Sequence, residues 1–231
     1  MEIMDFHAHI LPHMDHGSTR TETAKNQLAL IQSAGVHTVC ATSHFYPQDV
    51  LPAVFLEQRQ ESLRHLLKTY GTAPRPRIIV GAEVLICPGI DEMEGLEELC
   101  FEGTRILLLE MPFTKDNWDR SLFRTAYGIT KRGITPILAH VDRYPAHLIE
   151  EMFDMGLQGQ INAGSMVSGL LKPRRLLSWI EEGRIVAFGS DLHGKDPRGY
   201  APFTKLQKQY PDLFRSVMES TAALLKDAKR Y

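Results

Sequence analysis

Three cysteines in 231 residues leave little room for a disulfide framework or a thiolate zinc finger. Cys40, Cys87 and Cys100 are odd in number and form no C-x-x-C pair, so a reduced, cytoplasmic setting is expected. Long apolar runs are missing as well. Stretches such as Ile106-Leu107-Leu108-Leu109 fall far short of the ~18 residues that a membrane-spanning helix needs, so no membrane insertion is expected. No basic segment followed by an apolar one opens the chain, and a signal peptide is not expected. An excess of one charge is also missing, since 26 Lys and Arg face 28 Asp and Glu for a formal net charge of -2. Such a balance argues against a nucleic-acid partner.

The absent motifs exclude whole chemistries. No P-loop or G-x-G-x-x-G exists, so no nucleotide cofactor is expected. A cysteine phosphatase needs C-x5-R, but Tyr46, Met93 and Ile106 stand six residues after the three cysteines. There is no Asp-x-Asp triplet for an aspartyl-phosphate enzyme and no G-x-S-x-G nucleophile elbow.

What the chain has is an ordinary globular composition, 43% hydrophobic and 23% charged, together with ten histidines. Helical stripes alternate with apolar strands. Ala24, Leu28 and Ile31 mark a helix from Thr21 to Ala34, with Thr19 and Glu22 forming a capping box at its start. Gly35, Gly133, Gly156 and Gly183 each sit where a helix should turn back into a strand. Seven strands are expected: Glu2–Phe6, Val36–Ser43, Arg77–Val84, Arg105–Glu110, Ile134–Ala139, Leu157–Ile161 and Arg184–Ser190. Several are apolar throughout, as strands buried on both faces of a parallel sheet are. The expectation is a single α/β domain over residues 1–231, either an open sheet or a closed barrel.

In parallel α/β folds the site lies beyond the carboxyl ends of the strands. Nearly every expected strand ends in a side chain able to bind a metal: His7 and His9, His44, Glu83, Glu110, His140, then Asp191 and His193. Asp5, His7 and His9 alternate, so a strand would turn them to one face. Imidazole with carboxylate suits manganese, zinc or iron. So many ligands exceed the needs of one ion, and two to three divalent ions are expected, with Glu83 as a bridge. His13, His37, His65 and His147 carry no assigned chemistry.

The motifs Asp5-x-His7-x-His9, Thr42-Ser43-His44, Gly81-Ala82-Glu83, Ala139-His140 and Ser190-Asp191-Leu192-His193 resemble the PHP (polymerase and histidinol phosphatase) superfamily. His9-Ile10-Leu11-Pro12, His140-Val141-Asp142-Arg143-Tyr144 and Gln160-Ile161-Asn162-Ala163-Gly164-Ser165 resemble its bacterial tyrosine-phosphatase branch. The resemblance implies a distorted (β/α)7 TIM-like barrel. It implies three ions: one on His7, His9, Glu83 and Asp191, a second on Glu83, Glu110 and His140, and a third on His16, His44 and His193. The branch usually reads Asp-Asp-Gly where this chain has Asp15-His16-Gly17. His16 stands at the ligand position, and Asp15 is the alternative.

The reaction implied is hydrolysis of a phosphomonoester by water that metal ions make acidic. The substrate implied is a phosphotyrosine protein, the tyrosine autokinase of capsule or exopolysaccharide synthesis. A small phosphomonoester such as histidinol phosphate is the runner-up, and a non-catalytic metal-binding module the remote one. Arg143 and Arg198 are the candidate phosphate forks, because guanidinium binds phosphate bidentately. Asp5 is expected to orient a ligand histidine, and Asn162 to do the same or to touch substrate.

Overall fold

The computed structural model describes residues 1–114, 118–169, 173–194 and 199–227. Strands and helices alternate along them: β1 (Met4–Ala8), α1 (Thr21–Ser33), β2 (Thr38–Ala41), β3 (His44–Phe45), α2 (Pro52–Tyr70), β4 (Arg77–Val80), β5 (Glu83–Leu85) and β6 (Ile106–Glu110). Then follow α3 (Arg120–Lys131), β7 (Thr135–Leu138), α4 (Ala146–Asp154), β8 (Gln158–Asn162), α5 (Ala163–Val167), α6 (Arg174–Glu181), β9 (Ile185–Gly189), α7 (Ala201–Gln209) and α8 (Pro211–Asp227). Among the described residues every strand pairing is parallel, as apolar strands joined by helices dictate.

The strands form two sheets, β1-β2-β4 and β3-β5-β6-β7-β8-β9. Two of the seven expected strands are broken. Val36–Ser43 divides so that β2 stays in the first sheet while the chain continues through Thr42 and Ser43 into β3 of the second. Arg77–Val84 divides in the same way into β4 and β5 at Gly81 and Ala82. A side chain at Gly81 would run into the Phe101 ring, so glycine is what lets the strand turn there. At the other side of the molecule the edge strands meet. Ala8 and Leu192 form a parallel bridge, the Asp191 N–H donates to His7 O at 2.8 Å, and the His9 N–H to Leu192 O at 3.1 Å. Where a barrel is expected, the strands form two parallel sheets, continuous through two bent strands and laced together at β1 and β9.

The interior is apolar on both faces of the central strands. Leu107, Leu108, Ala187 and Phe188 are fully buried, which removes on the order of 25 cal/mol from the unfolding balance in favour of the native state for each Å² of apolar surface. The glycine punctuation is as expected, with Gly35 at φ 76° and Gly156 at φ 91° in the left-handed region just past helix ends. The capping box is not. Arg20 occupies the N-cap of α1 and no side chain caps it, because Thr19 lies one residue too early.

The strand ends differ from expectation by a residue or two, with one consequence. His7 belongs to β1 rather than to the loop after it, in the stretch between Asp5 and Ala8 where the register against β2 shifts.

Candidate metal centre

Parallel strands deliver their last residues to one rim, and here that rim is a cluster of imidazoles and carboxylates. Glu83 opens β5 and is fully buried. Its Oε1 lies 3.4 Å from His7 Nε2 and 2.7 Å from His140 Nε2. Its Oε2 lies 3.2 Å from His9 Nε2 and 3.0 Å from His44 Nδ1. Asp191 Oδ1 stands 3.3 Å from His7 Nε2 and 3.4 Å from His9 Nε2. Glu110 closes β6 and reaches His44 Nδ1 at 3.5 Å and His140 Nε2 at 3.9 Å. Glu83 is the common neighbour of four histidines, as a bridging carboxylate would be.

Four overlapping groups of ligand atoms lie within 4.8 Å of one another: His7, His9 and Asp191; His7, Glu83 and His140; His44, Glu83 and Glu110; His9, His44 and His193. Eight of the nine expected ligands are therefore brought together. The exception is His16, which is exposed. Its ring stacks on His44 with centroids 5.1 Å apart and lies 4.6 Å from that of His193, but its nitrogens join none of the groups. His9 takes the place expected of it beside His44 and His193.

The far sides of two of these imidazoles are held. His7 Nδ1 pairs with Thr42 Oγ1 at 2.6 Å, and His9 Nδ1 with Asp15 Oδ2 at 2.8 Å. The same Asp15 carboxylate accepts from the His44 N–H at 3.1 Å and the Gly17 N–H at 2.8 Å. Such partners fix ring orientation and aim the other nitrogen at an ion. Asp5 differs from its expected role. It accepts from the backbone N–H of His7 at 3.2 Å and of Ser190 at 2.8 Å, and from the Tyr200 hydroxyl at 2.6 Å. It secures the backbone of β1 against the segment after β9 and orients no imidazole, because Thr42 already holds the His7 ring.

Arg143 Nη2 sits 2.8 Å from Asp191 Oδ2, with its side chain 45% exposed. The Asn162 amide donates to the same oxygen at 3.0 Å. Arg198 lies outside the described residues. Gln160 stands in one of the resembling motifs without a role of its own, yet it is fully buried, accepts from the His140 N–H at 2.8 Å and donates to Asn162 Oδ1 at 3.0 Å. His140 and Asp191 both adopt left-handed backbone, at φ 30° and 51°. Non-glycine residues hold such conformations at a cost of about 1–3 kcal/mol each, and these cluster at functional sites.

The donor set fits divalent ions. Among the described residues, nine buried polar atoms have no hydrogen-bond partner, and six of them are on cluster residues: His7 Nε2, His9 Nε2, His44 Nδ1, Glu83 Oε2, His140 Nδ1 and His193 Nε2. The other three are Ser43 Oγ and two nitrogens of Arg59. Nitrogen and oxygen atoms left unpaired in a dry interior are costly unless a ligand pairs them. The electrostatics agree. Burial opposes charge on His7, but the carboxylates of Glu83 and Asp191 outweigh it and raise the pKa to about 9. Burial likewise opposes ionisation of Glu83 and Asp191, but the surrounding histidines overcome it and hold both carboxyls below the usual range. The ion-free cluster thus draws in protons where cations would otherwise sit.

A family model described as capsular polysaccharide synthesis, CpsB/CapC, matches residues 3–213. The tyrosine-protein phosphatase CpsB of Streptococcus pneumoniae is 27% identical over 217 residues, covering 85% of either chain. The tyrosine-protein phosphatase YwqE of Bacillus subtilis is 25% identical over 210 residues, covering 86% of this chain and 80% of YwqE. A solved structure from the pair YwqE of Bacillus subtilis and CpsB of Streptococcus pneumoniae, described as metal-dependent tyrosine phosphatases, superposes with a TM-score of 0.80 at 22% identity. It covers 99% of this chain and 96% of that one. A TatD-family hydrolase from Entamoeba histolytica shares the fold more distantly, with a TM-score of 0.57 at 8% identity over 99% of this chain and 98% of that one.

Proposed function

Because this chain belongs to the capsular polysaccharide synthesis CpsB/CapC family, we propose that it is a metal-dependent tyrosine-protein phosphatase acting on the autokinase of capsule or exopolysaccharide synthesis. The observation that carries the reading is the convergence of unpaired imidazole nitrogens on Glu83 and Asp191. His7, His9, His44, Glu83, Glu110, His140, Asp191 and His193 would hold two to three divalent ions, manganese being the one proposed first, with iron and zinc also suited to mixed imidazole and carboxylate donors. His16 is the ninth expected ligand and would have to turn inward to join them. Ions held there would supply Lewis-acid charge for the phosphate oxygens and activate the attacking water.

The remaining work falls to the chain's own groups. Arg143 stands beside Asp191 at the edge of the cluster with half its side chain exposed. Its planar fork suits two oxygens of a phosphate dianion. Asp191 keeps that fork aimed through Oδ2 while Oδ1 faces His7 and His9. Asn162 shares the load on Oδ2. Asp5 acts at a distance, as a positioning residue tying the backbones of His7 and Ser190. The three cysteines are unpaired, which supports the reduced cytoplasm as the setting.

The test pairs elemental analysis of protein purified without chelator with hydrolysis of a phosphotyrosine peptide and of histidinol phosphate. Bound transition metal, chelator-sensitive release of phosphate from the peptide, and slower turnover of histidinol phosphate are expected. Faster turnover of histidinol phosphate by orders of magnitude would assign the site to small-molecule chemistry. Absence of any hydrolysis in the metal-loaded protein would leave a metal-binding module.

A further inference from the structure

Three residues beyond Glu110, the chain leaves a large aromatic side chain in solvent at the edge of the cluster. Phe113 is 59% exposed. One face of its ring stacks on His140, with centroids 5.7 Å apart and planes 19° from parallel. The Arg143 guanidinium carbon lies 6.0 Å from the ring centroid. An exposed phenyl ring gains nothing from water, and this one is not loosely placed. The Tyr144 hydroxyl accepts from the Met111 N–H at 3.1 Å, and the Trp118 indole donates to Pro112 O at 2.6 Å. Tyr144 and Trp118 are themselves buried and pack on each other with centroids 5.4 Å apart. The backbone that leads into Phe113 is therefore anchored at Met111 and Pro112, and Pro112 stiffens it further.

We propose that Phe113 is a specificity-determining residue, a fixed platform on which the aromatic ring of an aryl phosphate packs while its phosphate is held at Arg143 and the metal cluster. The proposal rests on the phosphatase reading above and names the group that selects tyrosine. The placement suits that chemistry, since the phenyl ring borders both the cluster residue His140 and the Arg143 guanidinium. Aromatic pairs gain about 0.5–1.5 kcal/mol beyond the area they bury, and a platform held in place before binding loses little ordering entropy. An alkyl phosphate offers no ring to the platform.

The experiment measures binding of phenylphosphonate and methylphosphonate to manganese-loaded protein by calorimetry, alongside metal content. Wild type should bind phenylphosphonate more tightly. Phe113→Ala and Phe113→Leu should each lower that preference about threefold to tenfold, and Phe113→Tyr should keep it. Because Phe113 is mostly exposed, these variants should fold and retain metal. Equal loss for both phosphonates, an unchanged preference in the alanine and leucine variants, or a wild type without the preference would overturn the proposal. The phosphatase reading fails separately, if wild type releases no phosphate from a phosphotyrosine peptide while phosphonate binding still depends on Phe113.

Discussion

Asp15 Oδ2 lies 2.8 Å from His9 Nδ1, a contact that gives the two residues preceding Gly17 different tasks to test. The carboxylate sits behind a cluster histidine, while the imidazole of His16 stays exposed and stacks on His44. Asp15→Asn should therefore weaken metal binding about 10–100-fold, the usual cost of losing a partner behind a ligand imidazole. His16→Ala should change metal affinity much less. Chelator competition with each variant measures both. Metal loss in His16→Ala equal to that in Asp15→Asn would place His16 among the ligands after all.

Arg143 gives a prediction of the opposite kind. It touches Asp191 Oδ2 but none of the clustered histidine nitrogens, and the Asn162 amide remains on that oxygen when the guanidinium is removed. Arg143→Ala should lower turnover of phosphotyrosine peptide about 10²–10³-fold, as loss of a donor to developing charge does. Metal content should stay near wild type. Arg143→Lys should recover little, because an ammonium cannot bind two phosphate oxygens as a fork does. Metal depletion in Arg143→Ala would show that its principal task is to hold Asp191.

Much of this site is legible in the sequence, for a topological reason. Parallel strands place their carboxyl ends on one rim, so His7, Glu83, Glu110, His140 and Asp191 could be gathered from strand-end positions alone. The groups behind them could not. Thr42 on His7, Gln160 on the His140 backbone and the bonds from Tyr144 and Trp118 that anchor Met111 and Pro112 are contacts between separate segments, with no periodicity to announce them. The breaks in two strands were equally hidden. The one at Gly81 depends on how that residue meets Phe101, and the runs read as continuous through both. Asp5 sat in the right alternation with His7 and His9, yet it turned to Ser190 and Tyr200, because alternation fixes a face but not a partner.

Packing behind the cluster carries a stability prediction. A Cβ at Gly189 would lie 2.7 Å from His7 Cβ and 2.6 Å from Gln160 Nε2. Neither neighbour can yield easily, since His7 is anchored through Thr42 and Gln160 through His140 and Asn162. Gly189→Ala should cost about 1–3 kcal/mol, as overpacking does, and should also loosen metal by displacing His7. Thermal unfolding with and without chelator separates the two effects. A variant as stable as wild type and fully metallated would mean that β9 can shift away from β1.

Protons and metal ions compete for the same nitrogens, and the sign of that competition follows from His7. Burial works against its charge, but Glu83 and Asp191 raise its pKa to about 9, so the ion-free site holds a proton there at neutral pH. Metal must displace it. Apparent metal affinity should fall as pH drops from about 9 toward 6, by about tenfold per unit for each proton displaced. The ion-free protein should behave oppositely. A histidine whose folded pKa exceeds the unfolded value of about 6.5 adds stability that is complete below that pH and lost as pH rises through about 9. The depressed carboxyls Glu83 and Asp191 change stability only in acid, below this window. Melting curves of chelated protein between pH 6.5 and 9 should therefore decline, and those of metal-loaded protein should not. Parallel curves would mean that His7 is neutral in the ion-free site and that the carboxylates do not hold its proton.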